Sequence, residues 1–187
     1  MNIGLYFGSF NPIHTGHLLI ASHVADCGLV EKIWFVVSPQ NPLKPSNSLL
    51  NEYDRLHMVN LAIDDDDRFK ASDVEFKLPK PSYTIDTLTH LKEKYPQHQF
   101  SIIMGSDSYS NLHNWKNHAL LQKNYPILVY NRPGFVVESS SMVHVLKAPL
   151  LEISSTTIRK AIQQKRSIRY MLPDSVRKEI EKTGYYK

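Results

Sequence analysis

The chain has 187 residues, 42% of them hydrophobic, enough for one full core and short for two, so a single domain over 1–187 is expected. Its one cysteine, Cys27, excludes an internal disulfide, no amino-terminal stretch is laid out as a signal peptide, and no apolar run approaches the roughly 18 residues of a membrane span, so a reducing cytoplasm is the expected location. A formal charge of +4, from 22 basic against 18 acidic residues, favours anionic partners but is too mild an excess to demand a nucleic acid.

The first predicted element is an apolar strand over 2–7, followed by the loop Tyr6-Phe7-Gly8-Ser9-Phe10-Asn11-Pro12-Ile13-His14 and a helix over 16–27. A β-rich run follows at 32–38, a helical pattern at 51–63, another helix at 84–95, strands at 99–104 and 126–130, and a short helix at 118–123 between them. Aspartates crowded at a helix carboxyl end oppose its dipole, so Asp64 to Asp67 mark where a helix stops rather than a metal site. Strands alternating with helices predict an α/β fold, a doubly wound Rossmann-like parallel sheet with helices on both faces. The tail reads differently. Helices at 155–164 and 174–183, joined through Leu172-Pro173, predict a small C-terminal helical cover over residues 153–187.

In such a sheet ligands lie outside the carboxyl ends of the strands, and the first strand ends where the glycine-containing loop begins. Gly8 would let the backbone approach a phosphate, Pro12 would stiffen the loop, and a helix starting near Thr15 or Gly16 would aim N–H groups at an anion. Neither common phosphate loop is present, since the chain has no G-x-x-x-x-G-K-[ST] and no G-x-G-x-x-G. It offers His14 and His17 instead, three residues apart, with Gly16 leaving room beside them. Imidazoles there can donate to phosphoryl oxygens and, when protonated, add charge where a transition state turns negative. Zinc is the other chemistry open to the pair, with His23 or Cys27 as further ligands, but His23 lies two turns down and no carboxylate accompanies them.

The run Gly8-Ser9-Phe10-Asn11-Pro12-Ile13-His14-Thr15-Gly16-His17 resembles the H-x-G-H signature of the nucleotidyltransferases related to class I aminoacyl-tRNA synthetases. Ile153-Ser154-Ser155-Thr156-Thr157-Ile158-Arg159 resembles their second signature, I-S-S-T-x-I-R. Within that superfamily the chain resembles the bacterial nicotinate-nucleotide adenylyltransferases from residue 3 to the last helix. Supporting stretches are Ser38-Pro39 through Pro42-Leu43-Lys44, Ser82-Tyr83-Thr84, Gly105-Ser106-Asp107 followed by Trp115, and Arg132-Pro133-Gly134. The departures are Phe7 in place of a glycine, Asn11 in place of an aspartate, and Leu78 and Lys80 where many members carry Arg and Gly.

The resemblance implies transfer of the adenylyl group of ATP to nicotinate mononucleotide, with Mg²⁺ carried by the ATP, no dedicated protein metal cage, and no nucleic acid or membrane partner; a homo-oligomer stays open. His14, His17 and Arg159 would be catalytic. Gly8, Ser9, Phe10, Gly105, Asp107, Ile153, Ser154 and Ser155 would bind ATP, the serines also reading as an ordinary helix cap. Lys44, Tyr83, Thr84 and Trp115 would bind the mononucleotide: Trp115 as a ring platform unless it is a packing residue, Thr84 at the ring carboxylate unless it is a plain N-cap, and Lys44 at the phosphate unless it is a solvated loop lysine. Two rival readings are an adenylyltransferase for another phosphorylated acceptor, such as nicotinamide mononucleotide or phosphopantetheine, and a non-catalytic nucleotide sensor.

Overall fold

The computed structural model describes residues 1–40 and 49–187. Six parallel strands, β1 (Asn2–Gly8), β2 (Lys32–Val37), β3 (Phe69–Ser72), β4 (Gln99–Gly105), β5 (Ile127–Tyr130) and β6 (Val143–Leu146), form one sheet in the order β3-β2-β1-β4-β5-β6. The helices are α1 (Thr15–Asp26), α2 (Glu52–Ile63), α3 (Thr84–Lys94), α4 (Ser106–Ser110), α5 (His118–Asn124), α6 (Ser155–Gln163) and α7 (Asp174–Thr183), with 3-10 turns at Val74–Lys77 and Leu112–Asn114. This is the expected Rossmann-like architecture. The structure adds both edge strands, β3 and β6, the short helix α4 and the two 3-10 turns.

The strand sequences explain the two layers, because successive side chains point to opposite faces. Ile33, Phe35 and Val37 of β2, with Tyr6, Ile103, Leu128 and Tyr130, face one side, where Ile20 and Val24 of α1, Met58 and Val59 of α2, Ile158 of α6, and Val176 and Ile180 of α7 cover them. Trp34 and Val36, with Ile3, Leu5, Ile102, Met104 and Val129, face the other, where Leu88 and Leu91 of α3 and Leu121 of α5 cover them. The two C-terminal helices thus share the core of one face. Among the described residues, no helix is long and apolar enough to cross a membrane.

The sheet order reverses between β1 and β4, which pair from Asn2 opposite Gln99 to Tyr6 opposite Ile103. Both strands end in glycine, Gly8 and Gly105, and the crevice between their carboxyl ends is where a doubly wound sheet places its ligand.

Candidate active site

A cleft of about 470 Å³ opens at this crevice. Gly8 and Ser9 line it from the loop after β1, Gly105 and Asp107 from the end of β4, Tyr83 and Thr84 from the start of α3, and Trp115 from beside the second 3-10 turn. Seven residues expected at the site from sequence are therefore brought together. Lys44, the candidate for the mononucleotide phosphate, lies outside the described residues.

The β1–α1 loop is shaped by its side chains. Phe10 takes a left-handed φ of +45° and folds its ring under Gly8, where a Cβ would stand 2.7 Å from the ring edge. Gly8 is thus demanded by Phe10. The Phe10 ring meets His17 edge-on at 5.1 Å and Tyr6 at 5.8 Å. The His14 and His17 rings stack with centroids 3.7 Å apart, and a Cβ on Gly16 would stand 3.1 Å from Cε1 and Nδ1 of His14, so a side chain there would press on that ring. The His14 backbone N–H donates to His17 Nδ1 at 3.2 Å, which assigns the neutral His17 proton to Nε2 and leaves that atom as a donor.

His14 is only 6% exposed, and burial, helped by the nearby Arg132 charge, lowers its pKa to about 4. The positive charge expected of His14 is therefore absent at neutral pH, because a buried imidazole without an acid partner prefers its uncharged form. The helix start also differs from the expected cradle of open N–H groups. Thr15 N–H donates to Met171 O at 3.1 Å and His17 N–H to His14 O at 2.9 Å, so both are engaged within the protein.

The second motif sits on this loop. Ser154 caps α6 by accepting from Thr157 N–H at 3.1 Å, the local role its sequence suggests. Ser155 Oγ donates to Pro12 O at 2.8 Å and Arg159 Nη1 to Asn11 O at 2.8 Å. The carbonyl of Ile153 would lie 3.9 Å from a Cβ on Gly16. These residues hold the backbone beside the two histidines.

Asp107, expected to meet a ribose hydroxyl, pairs with Arg132 Nε at 3.2 Å; a Cβ on Gly105 would run into the Asp107 carboxylate, so a side chain there would displace it. Thr84 is the first residue inside α3 and Tyr83 is its N-cap, so the Thr84 hydroxyl does not cap this helix. Trp115 lines the cleft and also packs on the core beneath α3.

Several residues escaped the sequence reading. Glu75, 2% exposed, lines the cleft and accepts from Ser82 Oγ at 2.7 Å and Thr87 Oγ1 at 2.8 Å; burial pushes its carboxyl up, against these hydroxyls and that of Ser38. Lys116 spans the rim, its Nζ 2.8 Å from Asp86 and 4.8 Å from the Tyr83 ring centre. Arg55 is fully buried and donates to the carbonyls of Leu50, Ser9, Ser38 and Pro39, fastening the loops after β1 and β2 to α2. Only Arg55 left a trace in the sequence. It shares a helix face with Met58, Val59 and Ile63, where a cation needs a reason. Among the described residues, no three His, Cys, Asp or Glu side chains are grouped as a metal would require.

The family model described as cytidylyltransferase-like matches residues 5–161. A Cytophaga hutchinsonii protein described as a probable nicotinate-nucleotide adenylyltransferase is 50% identical over 190 residues, covering 100% of this chain and 98% of its own. The one from Flavobacterium psychrophilum is 48% identical over 192 residues, covering both chains fully. This chain belongs to the nicotinate-nucleotide adenylyltransferase family. The fold agrees with that of Plasmodium falciparum nicotinic acid mononucleotide adenylyltransferase, solved in complex with NaAD, at a TM-score of 0.84 over 99% of this chain and 97% of that one, with 22% identity. Of the departures from the pattern of the family, Lys80 is placed by an ion pair to Glu52 at 2.7 Å and Asn11 by the loop contacts above.

Proposed function

We propose that the chain joins the 5′-phosphate of nicotinate mononucleotide to the α-phosphorus of ATP, giving nicotinate adenine dinucleotide and pyrophosphate, a step of NAD biosynthesis. The observation that carries this reading is the seating of both signature motifs on one loop at the sheet's reversal point, beside a cleft running from Ser9 to Trp115. An acceptor phosphate oxygen forms the new bond to the α-phosphorus as the bond to the β-phosphate oxygen breaks, with no covalent enzyme intermediate. Catalysis is then positioning and charge stabilisation. His17 supplies its Nε2–H to the developing charge. His14, uncharged, fixes His17 through its backbone N–H and its stacked ring. Arg159 and Ser155 hold the loop and face the pyrophosphate end of ATP; Mg²⁺ enters with ATP as part of that substrate.

The acceptor half takes the pyridine ring against Trp115 and its carboxylate at Thr84 and the N–H groups that open α3, where hydrogen bonds and helix dipole favour an anion. A carboxamide would turn NH₂ donors toward donors, at about 1–3 kcal/mol for each group left unpaired. This predicts a preference for nicotinate over nicotinamide mononucleotide of roughly tenfold to several thousandfold in kcat/KM. The test is pyrophosphate release from ATP with nicotinate mononucleotide, nicotinamide mononucleotide and phosphopantetheine in parallel. Release with phosphopantetheine alone, or none with any acceptor, refutes the function. Equal rates with the two mononucleotides refute the carboxylate reader, and Thr84→Val should reduce the discrimination. The absence of paired cysteines suits a cytoplasmic enzyme, and we take residues 1–187 as one catalytic unit whose helical end, 153–187, belongs to the site.

A further inference from the structure

We propose that Tyr186 is a positioning residue for the catalytic loop, holding Asn11, and through it Phe10 and His17, from the opposite end of the sequence. Gly184, at φ +76°, ends α7 in a left-handed turn, and the following residues fold back beneath the sheet's first loop. There the Tyr186 hydroxyl donates to Asn11 Oδ1 at 3.0 Å. The same oxygen accepts the Leu50 N–H at 3.2 Å, so the Asn11 amide joins the β1–α1 loop, the approach to α2 and the stretch after α7. Asn11 is 4% exposed, and burial pushes the Tyr186 hydroxyl well above its ordinary range, even though Arg55 and Arg159 lie near enough to oppose the shift. A phenol so placed stays protonated and acts as a fixed donor.

The other fastenings of this loop, from Arg55, Ser155 and Arg159, grip backbone carbonyls of Ser9, Pro12 and Asn11. Tyr186 grips a side chain, one residue after the left-handed Phe10. Phe10, at φ +45°, occupies a region L residues rarely adopt, and such a residue relaxes unless its neighbours over-determine it. If Asn11 swings, Phe10 can relax toward negative φ. Its ring then leaves the edge-on contact with His17, whose placement sets the charge-stabilising donor. Displacement of a catalytic group by a fraction of an ångström lowers turnover more than binding.

The inference rests on the proposed function only for its kinetic arm. Tyr186→Phe in the full chain removes one oxygen and keeps the ring. The expected result is a fall of about three- to tenfold in kcat, with KM for ATP and for nicotinate mononucleotide each within about twofold. Amide exchange should accelerate in residues 9–17 and remain unchanged in β4 and β5. In an Asn11→Ala background, the same substitution should change kcat by less than about twofold, because the coupling partner is gone. An unchanged kcat with unchanged loop exchange overturns the proposal, as does faster exchange across the whole chain with a lowered Tm and a normal kcat, the signature of a merely structural tyrosine. If the wild-type chain shows no turnover with nicotinate mononucleotide, the proposed function fails, and the exchange measurement alone decides the tether.

Discussion

Burial of His14 makes the stability of this protein acid-sensitive by an amount that can be worked out. In the folded state the imidazole titrates at about 4, and in the unfolded chain near its ordinary 6.5. As pH falls through 6.5 the unfolded chain takes up the proton first, so stability decreases with falling pH until the folded-state value is reached. Linkage gives a loss of about 2 kcal/mol by pH 5 and about 3 kcal/mol below pH 4, relative to neutral pH. The groups facing His14 do not offset this: Arg132 repels a proton there, and the stacked His17 can only add a second positive charge. His14→Asn keeps a good N-cap for α1 and removes the titrating group. Urea unfolding of both proteins, followed by tryptophan fluorescence at several pH values from 7 to about 4.5, isolates the contribution, because Glu75 and the surface carboxylates titrate alike in both. The stability difference between wild type and variant should shift by about 2 kcal/mol over that range, against the wild type at low pH. A difference independent of pH would show that His14 is solvated or can be charged in place, and would refute the account of it as an uncharged positioning ring.

His17→Ala should lower kcat by about two to three orders of magnitude in the pyrophosphate-release assay, as expected for loss of one charge-stabilising donor. It should also lower stability by about 1 kcal/mol, since the ring packs against His14, Phe10 and Tyr6. Arg159→Lys keeps the charge but loses the fork that reaches both Asn11 O and Thr156 Oγ1, so KM for ATP should rise or kcat fall by about tenfold in steady-state kinetics; unchanged values would make Arg159 a bystander. Arg55→Met leaves the carbonyls of Leu50, Ser9, Ser38 and Pro39, the last of them buried, without their donor and should cost roughly 3 kcal/mol in urea unfolding, the relief of a buried charge offsetting part of the loss.

The fold and the site are legible in the chain where a local constraint writes the answer into neighbouring residues. Tyr6, Phe35 and Val37 face one layer and Leu5, Trp34 and Val36 the other, so β1 and β2 are covered on both faces and read as continuous apolar runs. The edge strands β3 and β6, with Lys70 and His144 among so few residues, carry no such run, since a strand paired on one side need not be apolar throughout. At the site, the histidines and glycines are legible because the loop's own geometry requires them: Gly16 for the His14 ring and Gly8 for the Phe10 ring.

What remains hidden is set by partners far along the chain. Nothing near Glu75 announces that Ser82 and Thr87 will converge on it, and nothing near Tyr186 announces an acceptor 175 positions away. The serines of the second motif show the division within two adjacent residues. Ser154 does what its local sequence says and caps α6, while Ser155 turns to Pro12 across 143 positions. A cap is fixed by the helix that follows it, so it can be read from a handful of residues. A bond to a distant carbonyl is fixed only once the sheet has closed, and for such residues a motif can give the identity of the side chain without giving its partner. Among the described residues, bonds of the second kind, from Arg55, Ser155, Arg159 and Tyr186, fasten the loop bearing His14 and His17, so its geometry depends on the completed fold even though its signature is local.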